Sequence, residues 1–285
     1  MKTILSCALS GVAANRAQCP GIPYTPEEYG EESRRAADAG ASIVHIHARK
    51  PDGVPSQDVE DYLAIRDAIK KRVPEMIINF STGAIGFTPE QRIASVVHGK
   101  PDVAALNMGT MNYAKYSEKR KDFVFKFVFE NPFDDIIYYL KTMREVGVRP
   151  EMECFDMGHI GSALPLIDMG ILTPPYEFSF ILGVDGGMPA STRNVLAMAD
   201  NLPKDSSWQV IGIGREQWGL AAAALTMGGH IRVGFEDNFY LPEGTMAKSN
   251  GDLCERAARL SRDTGREVAS IKEAREMLHL PLRAA

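Results

Sequence analysis

The sequence predicts an α/β chain folded as a (β/α)8 TIM barrel, with a short extra C-terminal helix. Three observations predict it. Eight short apolar runs alternate with helix-like stretches from one end of the chain to the other, which implies a parallel sheet with helices outside. The 285 residues suit a βα-barrel, which typically takes about 250. No GxGxxG follows the first run, which counts against a dinucleotide-binding open sheet, the other arrangement that alternating β and α allow. No linker, low-complexity tract or long repeat interrupts the series, so residues 1–285 read as a single domain.

The elements follow in order. The first strand is about Thr3–Leu9, and Ser10–Tyr24 is a loop with Gly11, Pro20 and Pro23. Thr25-Pro26-Glu27-Glu28 starts a helix: Thr25 caps it, Pro26 sits at the first helical position and Glu28 completes a capping box. That helix ends near Gly40. The second strand is Ile43–His47, followed by a turn at Lys50–Pro55. A helix from about Asp58 to Arg72 has Tyr62, Ile65 and Ile69 at helical spacing. The third strand, Met76–Phe80, runs into Ser81-Thr82-Gly83, and a short helix follows Thr88-Pro89.

The fourth strand is Val103–Leu106, ending at Asn107. Its loop contains Lys115, Lys119, Arg120 and Lys121, with one extra strand expected at Phe123–Phe129. Asn131-Pro132 reads as the cap of a helix reaching Val146 and closed by Gly147. The fifth strand is Arg149–Phe155, its helix about Ile160–Asp168, and the sixth strand Glu177–Leu182. Gly183–Gly187 reads either as a turn or as close backbone approach to a ligand. A helix at Thr192–Asp200, a strand at Trp208–Gly212 and a helix at Gln217–Met227 come next. The eighth strand, His230–Val233, precedes a helix at Ser249–Asp263, and a terminal helix starts at the capping box Ser270–Glu273.

Composition excludes some functions. The net charge of −5 argues against general affinity for nucleic acid or anionic membrane, and no apolar run approaches the ~20 residues of a membrane span. Cys7, Cys19, Cys154 and Cys254 show no CxxC spacing and read as reduced thiols of a cytoplasmic protein. The first residues resemble a signal peptide only weakly, because Ser6 and Ser10 break the apolar part; a first strand is the better reading.

Two stretches carry the chemistry. Side chains alternate along a strand, so His45, His47 and Arg49 share one face, with the two imidazoles roughly 7 Å apart at the backbone. Such a pair suits two ligands on one metal, or polar strand filling. In the late stretch the same alternation puts His230, Arg232, Gly234 and Glu236 on one face. Charges there need a polar site, since unpaired buried charge is too costly. In a barrel the second and eighth strands flank the first, and inward side chains of even-numbered strands share a layer. His45, His47 and Glu236 are then expected to meet at the C-terminal mouth as a catalytic metal set. Zn²⁺ is the first expectation, with Fe²⁺ or another divalent ion as the alternative. Asp237 is the candidate general base and Arg232 its partner. Ser81 and the backbone at Thr82–Ala84 are candidates to hold a carboxylate. Arg49 reads as a brace or a substrate contact. His230 reads as a hydrogen-bonded barrel residue ahead of a fourth ligand. The basic loop reads as solvated charge or as a guide for phosphates.

The stretch from PGIPYTPEEYG to VHIHARKPDG, then INFSTGA, LNMGT, ILGVDGGMPAS, VIGIGREQ and GGHIRVGFEDN, resembles the β-keto acid cleavage enzymes across nearly the whole chain. The resemblance implies a (β/α)8 barrel, bound zinc and acetyl-CoA as co-substrate. The activity it implies turns a 3-oxo acid plus acetyl-CoA into acetoacetate and a new acyl-CoA. It also implies a homo-oligomer, a tetramer in this family. By position, His45, His47 and Glu236 match the zinc ligands, Arg232 and Asp237 the catalytic pair, and Ser81 a substrate-binding serine. Asn107, in LNMGT, joins Ser81, Thr82, Ala84 and Ala105 in the candidate substrate set. Three positions depart: Ala13 stands where a glutamate binds a substrate amino group, Ala105 where a threonine contacts substrate, and Ala84 where a glycine does. The residues alone also allow a metal-dependent hydrolase, which would want further histidines such as His159. A non-catalytic small-ligand binder is the third reading.

Overall fold

Eight of the ten strands in the computed structural model, which describes residues 2–281, close on themselves. In chain order the strands are β1 (Leu5–Ala8), β2 (Ile43–Ile46), β3 (Ile77–Ser81), β4 (Val103–Asn107), β5 (Met111–Ser117), β6 (Asp122–Phe129), β7 (Arg149–Cys154), β8 (Tyr176–Leu182), β9 (Ser206–Gly212) and β10 (His230–Val233). The barrel runs β1-β10-β9-β8-β7-β4-β3-β2, with every neighbour parallel. β2 and β10 therefore flank β1, the adjacency that brings the two chemical stretches together.

The helices are α1 (Pro26–Asp38), α2 (Val59–Arg72), α3 (Pro89–Gly99), α4 (Phe133–Val146), α5 (Met157–Gly161), α6 (Ala163–Asp168), α7 (Thr192–Asp200), α8 (Gln217–Thr226), α9 (Asn250–Asp263) and α10 (Ile271–Met277). None is long and apolar enough to cross a membrane. Each is held by local chemistry as well as by its buried stripe. The capping boxes at Thr25/Glu28 and Ser270/Glu273 both form, and a third joins Thr88 to Gln91. The main core lies between barrel and helices, with Val44, Ile46, Ile78 and Phe80 facing Tyr29, Tyr62, Ile65 and Ile69. A separate cluster of Ile4, Ile43, Ile77 and Val103 at the N-terminal end of the strands packs on Ala274, Leu278 and Leu280. The extra helix α10 thus plugs the barrel floor, and Arg275 ties it there by donating to Asp102 at 2.9 Å.

The structure departs from the sequence reading at four places. The fourth loop holds a complete antiparallel hairpin, β5–β6, rather than one strand. The helix expected at Ile160–Asp168 is two short helices starting at Met157. Pro165 explains the break: it has no N–H to donate to the Gly161 carbonyl one turn back, and its ring crowds that carbonyl. Asn131 does not cap α4. Pro132 holds the cap position, and the Asn131 side chain accepts from Arg92 at 2.7 Å instead. Finally, β10 stops at Val233, so strand alternation does not deliver Glu236. The expected single domain, 1–285, extends beyond the described residues at both ends.

Candidate active site

The turn after β10 builds one wall of the site. Gly234 has φ +141°, and a side chain there would lie 2.2 Å from the Ala8 carbonyl, so only glycine lets this turn press against β1. The turn is then pinned from behind. Phe235 N–H donates to Asn250 Oδ1 at 2.9 Å, and Asn250 also donates to the Leu9 carbonyl at 3.1 Å. The result swings Glu236 and Asp237 over the C-terminal ends of β1 and β2.

There Glu236 Oε1 lies 3.7 Å from His45 Nε2 and 3.6 Å from His47 Nε2. One ligand atom from each of the three residues falls within 4.8 Å of the others. Ligands of a tetrahedral Zn²⁺ at about 2.0–2.1 Å sit about 3.3 Å apart, so a small contraction of this triangle would complete a site. Two further observations fit a cation. Both nitrogens of His45, Nδ1 of His47 and Oε2 of Glu236 are buried without a hydrogen-bond partner. In addition, Glu236 and Asp237 share the single guanidinium of Arg232, with Glu153 beside it, an excess of buried negative charge that a divalent ion would offset. Burial pushes the His45 imidazole down to about 3, so it is neutral, the form that ligates.

Arg232 organises the carboxylates. It makes a two-pronged bond to Asp237, Nε to Oδ2 at 3.0 Å and Nη2 to Oδ1 at 2.8 Å. Nη2 also donates to Glu236 Oε1 at 2.9 Å, and Nη1 reaches Glu153 Oε1 at 3.4 Å. Burial raises the Glu236 carboxyl, but Arg232, His45 and His47 outweigh it and hold the group well below its usual range. For Asp237 burial wins over Arg232 and lifts the acid to about 6; for Glu153 it wins more strongly, to about 8.

The remaining predicted residues divide. Ser81 and Asn107 are buried at the ends of β3 and β4, and Asn107 Oδ1 has no partner. Thr82 is spoken for: its hydroxyl and N–H both donate to the Ala105 carbonyl, at 2.8 and 3.2 Å. Gly83 N–H donates to Ser81 Oγ. These donors, expected to meet a carboxylate, instead lock the loop. Ala105 is buried on β4, Ala84 half-buried beside Gly83, and Ala13 exposed in the loop after β1. Arg49 braces that loop, donating to the carbonyls of Gly11 at 2.9 Å and Ala14 at 2.6 Å. His230 accepts from Ile4 N–H at 3.2 Å on the strand floor, away from the metal set. His159 accepts from Phe155 N–H at Nδ1 and stands outside the His45, His47 and Glu236 group.

Sequence reasoning missed Glu153, Tyr113 and Asn79. Glu151 and Glu153 alternate on a buried strand, a signal as good as the His45–His47 pair. Tyr113, from the hairpin, packs on Phe127, Phe129 and Phe155, and its phenol is pushed up by burial and by the charges of Glu236, Asp237 and Glu153. Asn79, in register with His45, is held by Glu151, while its Oδ1 stays unpartnered.

The sequence matches the profile of the beta-keto acid cleavage enzymes over residues 2–280. It is 41% identical to a 3-keto-5-aminohexanoate cleavage enzyme of Fusobacterium nucleatum, covering 98% of both chains. It is 33% identical to a 3,5-dioxohexanoate:acetyl-CoA acetone transferase of Paraburkholderia graminis, over 98% of this chain and 96% of that one. Among solved structures, apo ObcA superposes with a TM-score of 0.78 at 21% identity, covering 92% of this chain and 66% of ObcA, a likeness of fold. With the barrel closed, and with matches that run from one end of the described chain to the other, the protein belongs to the β-keto acid cleavage enzyme family.

Proposed function

We propose that the protein exchanges acyl groups between a 3-oxo acid and acetyl-CoA, giving acetoacetate and a new acyl-CoA in a metal-dependent reaction. In net terms R–CO–CH₂–COO⁻ and CH₃–CO–SCoA become R–CO–SCoA and CH₃–CO–CH₂–COO⁻, so the acid's C2–C3 bond and the thioester C–S bond exchange partners. The observation that carries this reading is the triangle of His45, His47 and Glu236 beside the Arg232–Asp237 pair. The acetyl-CoA in the relative's name supports the co-substrate.

His45, His47 and Glu236 would hold a divalent ion, Zn²⁺ first and Fe²⁺ or another dication as the alternative. Such an ion would polarise the 3-oxo group. Asp237 takes a proton from C2 of the 3-oxo acid so that C2 can attack the acetyl carbonyl of acetyl-CoA. It returns the proton to C2 when the C2–C3 bond breaks and the CoA thiolate joins C3; the two-pronged bond from Arg232 aims its carboxylate. Arg232 also stands where negative charge develops. Ser81 and Asn107, buried at the ends of β3 and β4, would hold the acid's carboxylate end. Tyr113, packed edge to face on Phe155 at the hairpin root, would cover the site and limit water.

For the acid itself, the resemblance sets Ala13, in the loop after β1, where a glutamate would meet a substrate ammonium, and this supports a neutral tail. An ammonium entering a closed pocket without a facing carboxylate loses a charge-assisted bond worth roughly 1.5–3 kcal/mol. The test mixes the protein with acetyl-CoA and a panel of 3-oxo acids and weighs the acyl-CoA products. The expected result is acetoacetate with a matching acyl-CoA. 3-Oxohexanoate should exceed its 5-amino counterpart by at least about tenfold in kcat/KM. No acyl-CoA with any acid would refute the function; preference for the amino acid would refute only the tail assignment. A cytoplasmic homotetramer completes the proposal, checked by sedimentation and by cell fractionation.

A further inference from the structure

We propose that the β5–β6 hairpin is the coenzyme A subsite, binding the nucleotide phosphates at its tip and guiding the pantetheine arm down its aromatic flank. This rests on the functional reading above and assigns a site that the reading leaves open.

The hairpin starts at the chemistry and ends in solvent. At its root Met111 and Phe129 pack with Phe155, Ile181 and Ile211 over the barrel mouth. Tyr113 lies in the field of Glu236, Asp237 and Glu153. The eight residues of β6 then extend about 27 Å at 3.4 Å per residue. The hairpin is clamped along this path. Asp185, in the loop after β8, accepts Tyr116 N–H at 2.5 Å, and its carbonyl accepts Ala114 N–H at 3.1 Å. Gly186 has φ +99°, and a side chain there would fall 2.0 Å from the Asn112 carbonyl. The glycine-rich loop thus holds the hairpin in place.

The hairpin is also chemically unlike the rest of the chain. Lys115, Lys119, Arg120, Lys121 and Lys126 crowd it against Glu118 and Asp122, on a protein whose net charge is −5. All five cations are exposed, and among the described residues none forms an ion pair. On the root side of the tip cations Lys119, Arg120 and Lys121 lie exposed apolar groups, Tyr116 (37%), Phe123 (43%) and Val124 (51%), with Lys115 and Lys126 closer to the root. Tyr116 and Phe123 meet edge to face at 5.6 Å, and Lys126 sits 5.3 Å over the Phe123 ring.

A thioester of coenzyme A has the matching pattern. Its thioester carbonyl must reach the acid's C2 beside Asp237, a long neutral arm follows, and the phosphates and adenine come last. Unpaired Lys and Arg suit phosphate, and exposed rings suit the face of a purine. Across the mouth, the loops after β8 and β9 offer only Arg193 and Arg215 as exposed cations.

The experiment is calorimetric titration of the metal-loaded protein with CoA and with pantetheine. It compares wild type, the triple variant Lys119→Glu/Arg120→Glu/Lys121→Glu and the pair Arg193→Glu/Arg215→Glu. The triple variant should lose at least tenfold in CoA affinity beyond any loss for pantetheine, and Phe123→Ala at least threefold. The loss should shrink as salt rises. A triple variant binding CoA within twofold of wild type would overturn the inference, as would a larger loss in the Arg193/Arg215 pair. If wild type turns over acetyl-CoA while the triple variant binds CoA equally well, only the hairpin assignment fails. If wild type neither binds CoA nor turns over acetyl-CoA, the functional reading fails as well.

Discussion

The side chains of the site differ in what their loss would do. Both nitrogens of His45 and Nδ1 of His47 have no hydrogen-bond partner, so replacing either residue by Ala should leave the fold and remove a ligand. Elemental analysis of His45→Ala and His47→Ala should show metal content well below wild type, with an unchanged circular dichroism spectrum. Full occupancy in both would refute the ligand assignment. Asp237→Asn keeps shape but not basicity. Positioned proton transfer contributes roughly 10²–10⁴-fold, so turnover should fall by at least a hundredfold with metal retained. A rate within about threefold of wild type would remove Asp237 from the base role.

Among the elements, the hairpin and the loop after β8 act as a pair. Gly186 admits no side chain, because a Cβ would meet the Asn112 carbonyl. Gly186→Val should therefore lift the hairpin, while the barrel beneath, held by its own register, stays folded. The expected signs are faster proteolysis within Tyr113–Phe129 and a loss of turnover, with the thermal transition still cooperative. Unchanged proteolysis at that segment would show that the clamp is not needed.

For the whole molecule, stability should depend on a carboxyl far below the mouth. Glu177 on β8 is buried 3.8 Å from Arg149, and burial lifts its acid to about 8 despite that arginine. The folded chain thus holds this proton more tightly than the unfolded chain, whose Glu titrates near 4.3. The stabilisation is complete below the unfolded value and is lost as pH rises through about 8, by at most about 1.4 kcal/mol per pH unit. Glu177→Gln keeps the uncharged shape, so its Tm should exceed that of wild type increasingly from pH 6 to 9. A constant difference across that range would contradict the assignment.

The sequence by itself determined the barrel, because strand-sized apolar runs, capping boxes at Thr25 and Ser270 and glycine stops are local signals repeated in a fixed order. It also brought His45 and His47 together, since two residues apart on a strand is a distance that backbone geometry sets. Glu236 was found for an incomplete reason: β10 ends three residues before it, and a turn through Gly234 carries it to the histidines. The alternation of Glu151 and Glu153 was legible along β7, but its partner was not, and Tyr113 and Asn79 gave no such signal. The three come from β7, the hairpin and β3, and nothing along the chain ties them to Arg232 or His45. Only closure of the sheet puts those strands around one axis, and only the clamp at Gly186 lays the hairpin over it. Local spacing decides which side chains share a face, whereas the tertiary structure decides which faces meet, where the loops between them land, and which of their donors, as at Thr82, are already taken.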